Sequence, residues 1–125
     1  MTIVETALET FEVDVVQASR QRPMLVDFWA EWCAPCLVIA PVLEHVLRDL
    51  GGAVGLVKLE VDEGENMKLA GHYRVRGFPT VILFDDGAEV ARFSGARSFT
   101  RPTASALLCS LIDVTTDHEY FIGRI

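Results

Sequence analysis

Two cysteines three positions apart, Cys33 and Cys36, follow the run Asp27-Phe28-Trp29-Ala30-Glu31-Trp32. If Cys33 opens a helix, both sulfurs lie on one face, with Cβ atoms roughly 5–6 Å apart. A small rotamer adjustment then closes a disulfide. The same placement puts Cys33 among unpaired backbone N–H groups at the positive end of a helix dipole. Both features favour a thiolate, and the thiolate is the nucleophile. The spacing therefore suits reversible thiol–disulfide exchange, with Cys33 attacking and Cys36 resolving the mixed disulfide. A lone CxxC also serves zinc sites, but two further ligands at zinc spacing are absent from the chain. The remaining alternatives for the pair are a fixed structural disulfide or two inert thiols.

Asp27 is the one acid in the apolar run Met24-Leu25-Val26-Asp27-Phe28-Trp29, which has the pattern of a central strand buried on both faces. A carboxyl in such a strand has a raised pKa and suits general-base work near neutral pH. The plainer alternative is a core acid paired with Lys58. After the cysteines, apolar residues recur at helical spacing from Ala34 to Leu50, and Gly51-Gly52 ends that helix. Pro41 falls inside it and should kink it.

The elements around this pair are read from the same patterns. Ile3 to Leu8 is expected as a short strand. Thr10 is expected to cap a helix from Phe11 to about Ser19, with Val13, Val16 and Gln17 one turn apart. Val54 to Val61 is the next strand and carries Lys58. Asp62-Glu63-Gly64-Glu65 is an acidic turn before a short helix from Asn66 to about His72. Arg76-Gly77-Phe78-Pro79 leads into the strand Thr80 to Phe84, and Asp85-Asp86-Gly87 is a hairpin signal before the strand Ala88 to Ser94. Pro102 stands near the start of a last helix that ends at about Ile112. The order β-α-β-α-β-α-β-β-α implies an α/β fold, a central mixed β-sheet flanked by helices on both faces. Residues 1–112 form this domain, and 113–125 are a C-terminal extension.

The chain's 125 residues fit one domain, and half of them are hydrophobic, a globular profile. Eleven basic against eighteen acidic residues give a net charge of −7. That argues against nucleic-acid binding, which needs clustered Lys and Arg. No apolar run is long enough to span a membrane. The start Met1-Thr2-Ile3-Val4-Glu5-Thr6 has no basic region and no long apolar stretch, so a cytoplasmic location is expected. Three cysteines, two of them in one CxxC, do not make a disulfide framework.

The run Val26 to Cys36, then Ile39-Ala40-Pro41, resembles the thioredoxin family closely. So do Arg76-Gly77-Phe78-Pro79-Thr80, Phe84-Asp85-Asp86-Gly87 and Ser94-Gly95-Ala96, in the same order at nearly the family's spacing. The resemblance covers about Phe11 to Ile112. It implies the thioredoxin fold and a protein disulfide reductase activity, with no bound organic cofactor and no metal. By resemblance Cys33 is the exposed attacking cysteine and Cys36 the buried resolving one. Asp27 is the buried acid that manages the Cys36 proton, and Lys58 faces that acid across the sheet. Pro79 matches a cis-proline beside the cysteines, and Phe78 offers backbone groups to an extended substrate segment. Trp32, Ala34, Pro35, Gly77, Gly95 and Ala96 line a shallow groove around Cys33, with Trp29 packed beneath.

Two departures from the family stand out. Ala34-Pro35 replaces the usual Gly-Pro between the cysteines, and Leu37 replaces a common Lys, which removes one positive charge near Cys33. The partners implied are disulfide-containing proteins and a thioredoxin reductase or other electron donor. A monomer is expected, or a weak dimer through the tail, where Tyr120, Phe121 and Ile122 would need cover. Cys109 reads as a small apolar residue without a redox role. The rival functions are a dedicated redox partner or oxidant in an exported compartment, and a non-enzymatic binding module on the same fold. The presence of both cysteines counts against the second.

Overall fold

A computed structural model describes residues 3–94. The expected helix after Pro102, Cys109, Gly95, Ala96 and the extension 113–125 lie outside the described residues. Five strands form one sheet: β1 Ile3–Glu5, β2 Met24–Trp29, β3 Gly55–Glu60, β4 Thr80–Asp85 and β5 Ala88–Ser94, in spatial order β1-β3-β2-β4-β5. β2 is central. It pairs parallel with β3, with Asp27 opposite Lys58, and antiparallel with β4, with Asp27 opposite Val81. β1 adds to β3 in parallel and β5 to β4 in antiparallel, so the sheet is mixed, as the element order implied.

The continuous apolar run of β2 is explained by cover on both faces. On one face Leu25, Leu56, Val81 and Leu83 pack under α1 (Ala34–Asp49) through Ile39, Leu43, Val46 and Leu47. On the other, Val26, Phe28, Val57, Leu59, Ile82 and Phe84 meet Phe11 and Val15, and Leu69 and Ala70 of α2 (Met67–His72). A strand with no wet face has no place for alternation. α1 continues through Pro41 to Asp49, and Gly51 follows at φ +62°, the left-handed conformation that closes helices. The β4–β5 connection turns through Asp86 (φ +50°) and Gly87 (φ +87°), a two-residue loop whose left-handed residues match strand twist.

The N-terminal third departs from the sequence reading. β1 ends at Glu5 and not at Leu8; the Thr6 N–H makes a last bond to the Lys58 carbonyl at 2.9 Å, and the Leu8 N–H goes to Asn66 Oδ1 at 2.8 Å. The following segment is wound as a π-helix over Glu12–Gln17 and a 3₁₀ turn over Ala18–Arg20. Thr10 does not cap it. Its Oγ1 turns back to accept the Ala7 N–H at 3.2 Å. The segment buries Phe11, Val15 and Ser19, four residues apart on one helical face, and leaves Val13 exposed, so the buried face is not the one expected through Val13, Val16 and Gln17. Ser19 ties the segment to the hairpin, since its Oγ accepts the Gly87 N–H at 2.8 Å and donates to the Val16 carbonyl at 2.7 Å.

Candidate active site

Cys33 sits where the chain leaves β2 and enters α1. It is the N-cap residue, with extended backbone (φ −93°, ψ 97°), and its Sγ accepts the Cys36 N–H at 3.3 Å. Its carbonyl accepts from Cys36 and Leu37 N–H groups at 3.1 and 3.3 Å. The sulfur therefore does the job usually done by a Ser or Asp oxygen, and it lies at the positive end of a helix dipole. Pro35 stands in the first turn, where no N–H is needed. Cys33 and Cys36 are joined as a disulfide, with Cα atoms 5.3 Å apart. Cys33 is 4% exposed and Cys36 1%. In this oxidised form Cys33 is thus buried and not exposed, since its sulfur is turned back onto the first turn of α1.

Asp27 lies in the middle of β2 and is 1% exposed. Its Oδ1 has no hydrogen-bond partner among the described residues. Burial pushes its pKa up to about 7, Lys58 pulls it down, and Glu44 on α1 pushes it up again. Lys58 is opposite Asp27 in register, but its ammonium lies 4.9 Å from the centre of the Trp29 ring. No ion pair links it to Asp27 among the described residues, which excludes the reading of a simple buried salt bridge. A cleft of about 230 Å³ reaches this lysine between Glu5, Thr6, Trp29, Glu31, Glu60 and Glu63.

Trp32 is 65% exposed, and its Nε1–H donates to Asp62 Oδ2 at 2.5 Å. Its ring meets Phe78 edge-on at 5.9 Å. The Phe78–Pro79 peptide is cis, and Thr80 Oγ1 donates to the Gly77 carbonyl at 2.6 Å, which fixes this loop against β4. Among the described residues the Phe78 backbone groups have no hydrogen-bond partner. Ala34 is exposed, Pro35, Gly77 and Phe78 are half-buried, and Pro79 is buried. Leu37 is 53% exposed, one turn along α1 from Cys33. Asp62 and Glu44 were not singled out from the sequence. Asp62 was legible only as part of an acidic turn, and Glu44 only as a polar position of a long helix.

A disulfide at a helix N-cap, with a neutral-range carboxyl in the strand behind it and an exposed aromatic rim, is equipped to exchange with another disulfide. The arrangement can supply a nucleophile from the cysteine pair and a proton acceptor from a carboxyl that titrates near neutrality. Comparison with known proteins agrees. The Thioredoxin family model matches residues 2–104. The chain is 48% identical over 96 residues to the thioredoxin of Pseudomonas aeruginosa, covering 77% of this chain and 85% of that protein. It is 46% identical over 95 residues to thioredoxin C-2 of Corynebacterium nephridii, covering 76% and 84%. It is 40% identical over 111 residues to a bifunctional thioredoxin reductase/thioredoxin of Mycobacterium leprae, covering 89% of this chain and 22% of that longer protein. Fold, redox pair and these relatives agree, and the chain belongs to the thioredoxin family, as a thiol–disulfide oxidoreductase that reduces protein disulfides.

Proposed function

We propose that Cys33 is the attacking thiol, Cys36 the resolving thiol and Asp27 the base that serves Cys36. The Cys33 thiolate attacks one sulfur of a partner disulfide. A Cys33–partner bond forms, the partner's own S–S bond breaks, and the released partner thiolate takes a proton from water. The Asp27 carboxylate then accepts the Cys36 proton, and the Cys36 thiolate attacks Cys33 Sγ. The Cys33–Cys36 bond forms, and the second partner sulfur leaves as a thiolate. Two electrons have passed to the partner, and a reductase must return two to the chain. The observation that carries this reading is the N-cap placement of Cys33, since a helix N-terminus lowers thiol pKa.

Asp27 supports the second step, because a carboxyl near pH 7 is matched to proton transfer at neutral pH. Lys58 is a positioning residue that keeps this carboxyl from rising further. The partner segment lies across Trp32, Ala34, Pro35, Gly77, Phe78 and Pro79, with the unpaired Phe78 backbone groups available to an extended chain. Gly95 and Ala96 complete this groove by family resemblance. The electron donor is a thioredoxin reductase, in keeping with the name of the Mycobacterium leprae relative. A reducing compartment, the cytoplasm, suits a dithiol that must be recycled, and no helix among the described residues is long and apolar enough to cross a membrane. The chain acts as a monomer, and 113–125 form an extension to the domain.

Trapping tests the roles. With an oxidised protein substrate, Cys36→Ser accumulates a stable mixed disulfide and Cys33→Ser accumulates none. The reverse pattern overturns the assignment. Titration in graded thiol buffers, read by Trp fluorescence, separates reductase from oxidant. Thioredoxins as a family stand at about −270 mV and strong oxidants near −120 mV, and a value at the second end would overturn the reductase direction.

A further inference from the structure

The outer face of α1 has no part in the core of the domain. Cys36, Ile39, Leu43, Val46 and Leu47 are the side of this helix that is buried. Ala34, Leu37, Val38 and Pro41, spaced i, i+3, i+4 and i+7, share the opposite side and are exposed. The outer side of an amphipathic helix is ordinarily polar. Here it is apolar for its first two turns, and only beyond Pro41 do His45 and Arg48 continue the same side as polar residues. Helix propensity does not account for the choice, since a β-branched Val at an exposed position is a poorer helix former than Lys, Glu or Gln.

Apolar residues scattered singly over a surface need no explanation. These are not scattered. Among the described residues five large apolar side chains are exposed, Val13, Trp32, Leu37, Val38 and Met67, and three of them stand within five positions of Cys33. The reaction brings a protein to this place. A protein disulfide is reduced here only when one of its sulfurs meets the Cys33–Cys36 pair, so the partner chain lies against the start of α1. Cys33 and Cys36 themselves offer it almost no surface. Weak, transient complexes still bury on the order of 500 Å² on each partner, so the contact must spread beyond the sulfurs. The apolar stretch of α1 is continuous with them: it begins at Ala34, directly after Cys33, and runs about 10 Å along the helix to Pro41.

We propose that Leu37 and Val38, with Pro41 behind them, form a docking ridge that seats an apolar side chain flanking the disulfide of a protein substrate. This deepens the reading of the exchange at Cys33 and rests on it. Substrates with leucine or a similar side chain beside their cysteines are reduced faster than substrates with polar residues there. The gain lies in the second-order rate, because the ridge holds the partner and supplies no group to the exchange.

The test uses the full-length reduced protein and synthetic peptides that carry the same intrachain disulfide, flanked by leucines or by serines. The second-order rate of reduction is followed by Trp fluorescence in single turnover. Each rate is divided by the same peptide's rate with dithiothreitol, which removes differences in the disulfide itself. The leucine peptide reacts at least roughly fivefold faster than the serine peptide, the effect of little more than one buried methylene group. Added salt leaves the gap in place, because no charge pair makes it. In a combined L37Q and V38Q variant the two rates fall within about twofold of each other. In Val13→Gln, which removes an exposed apolar side chain elsewhere, the preference stays. Equal rates in the wild type, or a preference that survives in the double variant, overturn the proposal. So does a wild-type dimer in sedimentation that the double variant loses, since a second copy would then cover the ridge. A chain that reduces neither peptide overturns the roles given to Cys33 and Cys36 as well, so the two failures are distinct.

Discussion

Lys58 stands opposite Asp27 in the ladder between β2 and β3, yet its ammonium lies 4.9 Å from the Trp29 ring centre. The two strands bring acid and base together, and the side chains decline to pair. The reason is solvation. Asp27 is enclosed beneath α1, while Lys58 opens into a cleft walled by Glu5, Glu31, Glu60 and Glu63. A cation on a four-carbon stem reaches the wet acidic side and the ring face without entering the dry interior that holds Asp27. Asp27 is left with one oxygen unpaired and a pKa of about 7.

That arrangement costs stability, and the cost depends on pH. The unfolded carboxyl titrates near 3.8 and the folded one near 7, so between these values the folded chain binds more protons. Stability therefore falls as pH rises from about 4 to 7 and levels off above. A rise of about three pKa units is worth about 4 kcal/mol. Asp27→Asn removes this term. Urea unfolding of the oxidised protein should give a variant more stable than the parent by up to about 4 kcal/mol near pH 9, with the gain gone near pH 4. A gain independent of pH would mean that the carboxyl is not strained by burial.

The same substitution should slow the second half of the reaction. With no base behind it, Cys36 must lose its proton to water, and general-base assistance is typically worth roughly 10²-fold or more. Stopped-flow fluorescence should show mixed-disulfide resolution slowed by about that factor at neutral pH. The first attack should change by less than about threefold. The deficit should shrink above about pH 8.5, where a free thiol ionises unaided. Equal slowing of both steps would place Asp27 in support of the fold and not in the proton transfer.

Lys58→Met isolates the lysine's influence. Lys58 is the neighbour that holds the Asp27 pKa down, so its removal should push that pKa above about 7. The inflection of the resolution rate should move to higher pH, and the rate at neutral pH should fall because less carboxylate is present. Trp29 emission in a Trp32→Phe background should also change, since the cation leaves its ring. An inflection that stays in place would mean that Lys58 acts on Trp29 alone.

The strands and the redox pair were legible because local pattern and tertiary demand coincide there. Met24–Trp29 is apolar but for Asp27 because both faces are covered, and Ala88–Ser94 is announced by the Asp86-Gly87 turn. The Cys33-Ala34-Pro35-Cys36 spacing announces its helix start through the Pro in the first turn. In the N-terminal segment the helical span from Phe11 to about Ser19 was legible, but its winding, its cap and its buried face were not. Its winding is set by Val15 and Phe11 reaching the sheet and by Ser19 reaching Gly87, partners 68 residues apart in the chain for that last bond. The path of Lys58 was equally hidden, since register fixes where Cα atoms lie and solvation decides where a long side chain goes. The bond from Trp32 to Asp62 joins residues 30 apart that share no periodicity.

That bond is the most direct handle on the rim of the site. Asp62 is exposed and the Trp32 ring is largely in water, so its loss should leave stability within about 0.5 kcal/mol. Asp62→Ala frees the indole to rotate about its side-chain torsions. A partner chain must then order the ring as it binds, at an entropic cost of about 0.5–1.5 kcal/mol. That corresponds to a fall of roughly two- to tenfold in kcat/KM toward a protein disulfide. The reduction potential should be unchanged, because no atom at the sulfurs has altered. Fluorescence anisotropy decay of Trp32, in a Trp29→Phe background, should show faster local motion than in the parent. An indole equally immobile without Asp62 would mean that the edge contact with Phe78 alone holds it, and that the carboxylate contributes charge to the rim and no order.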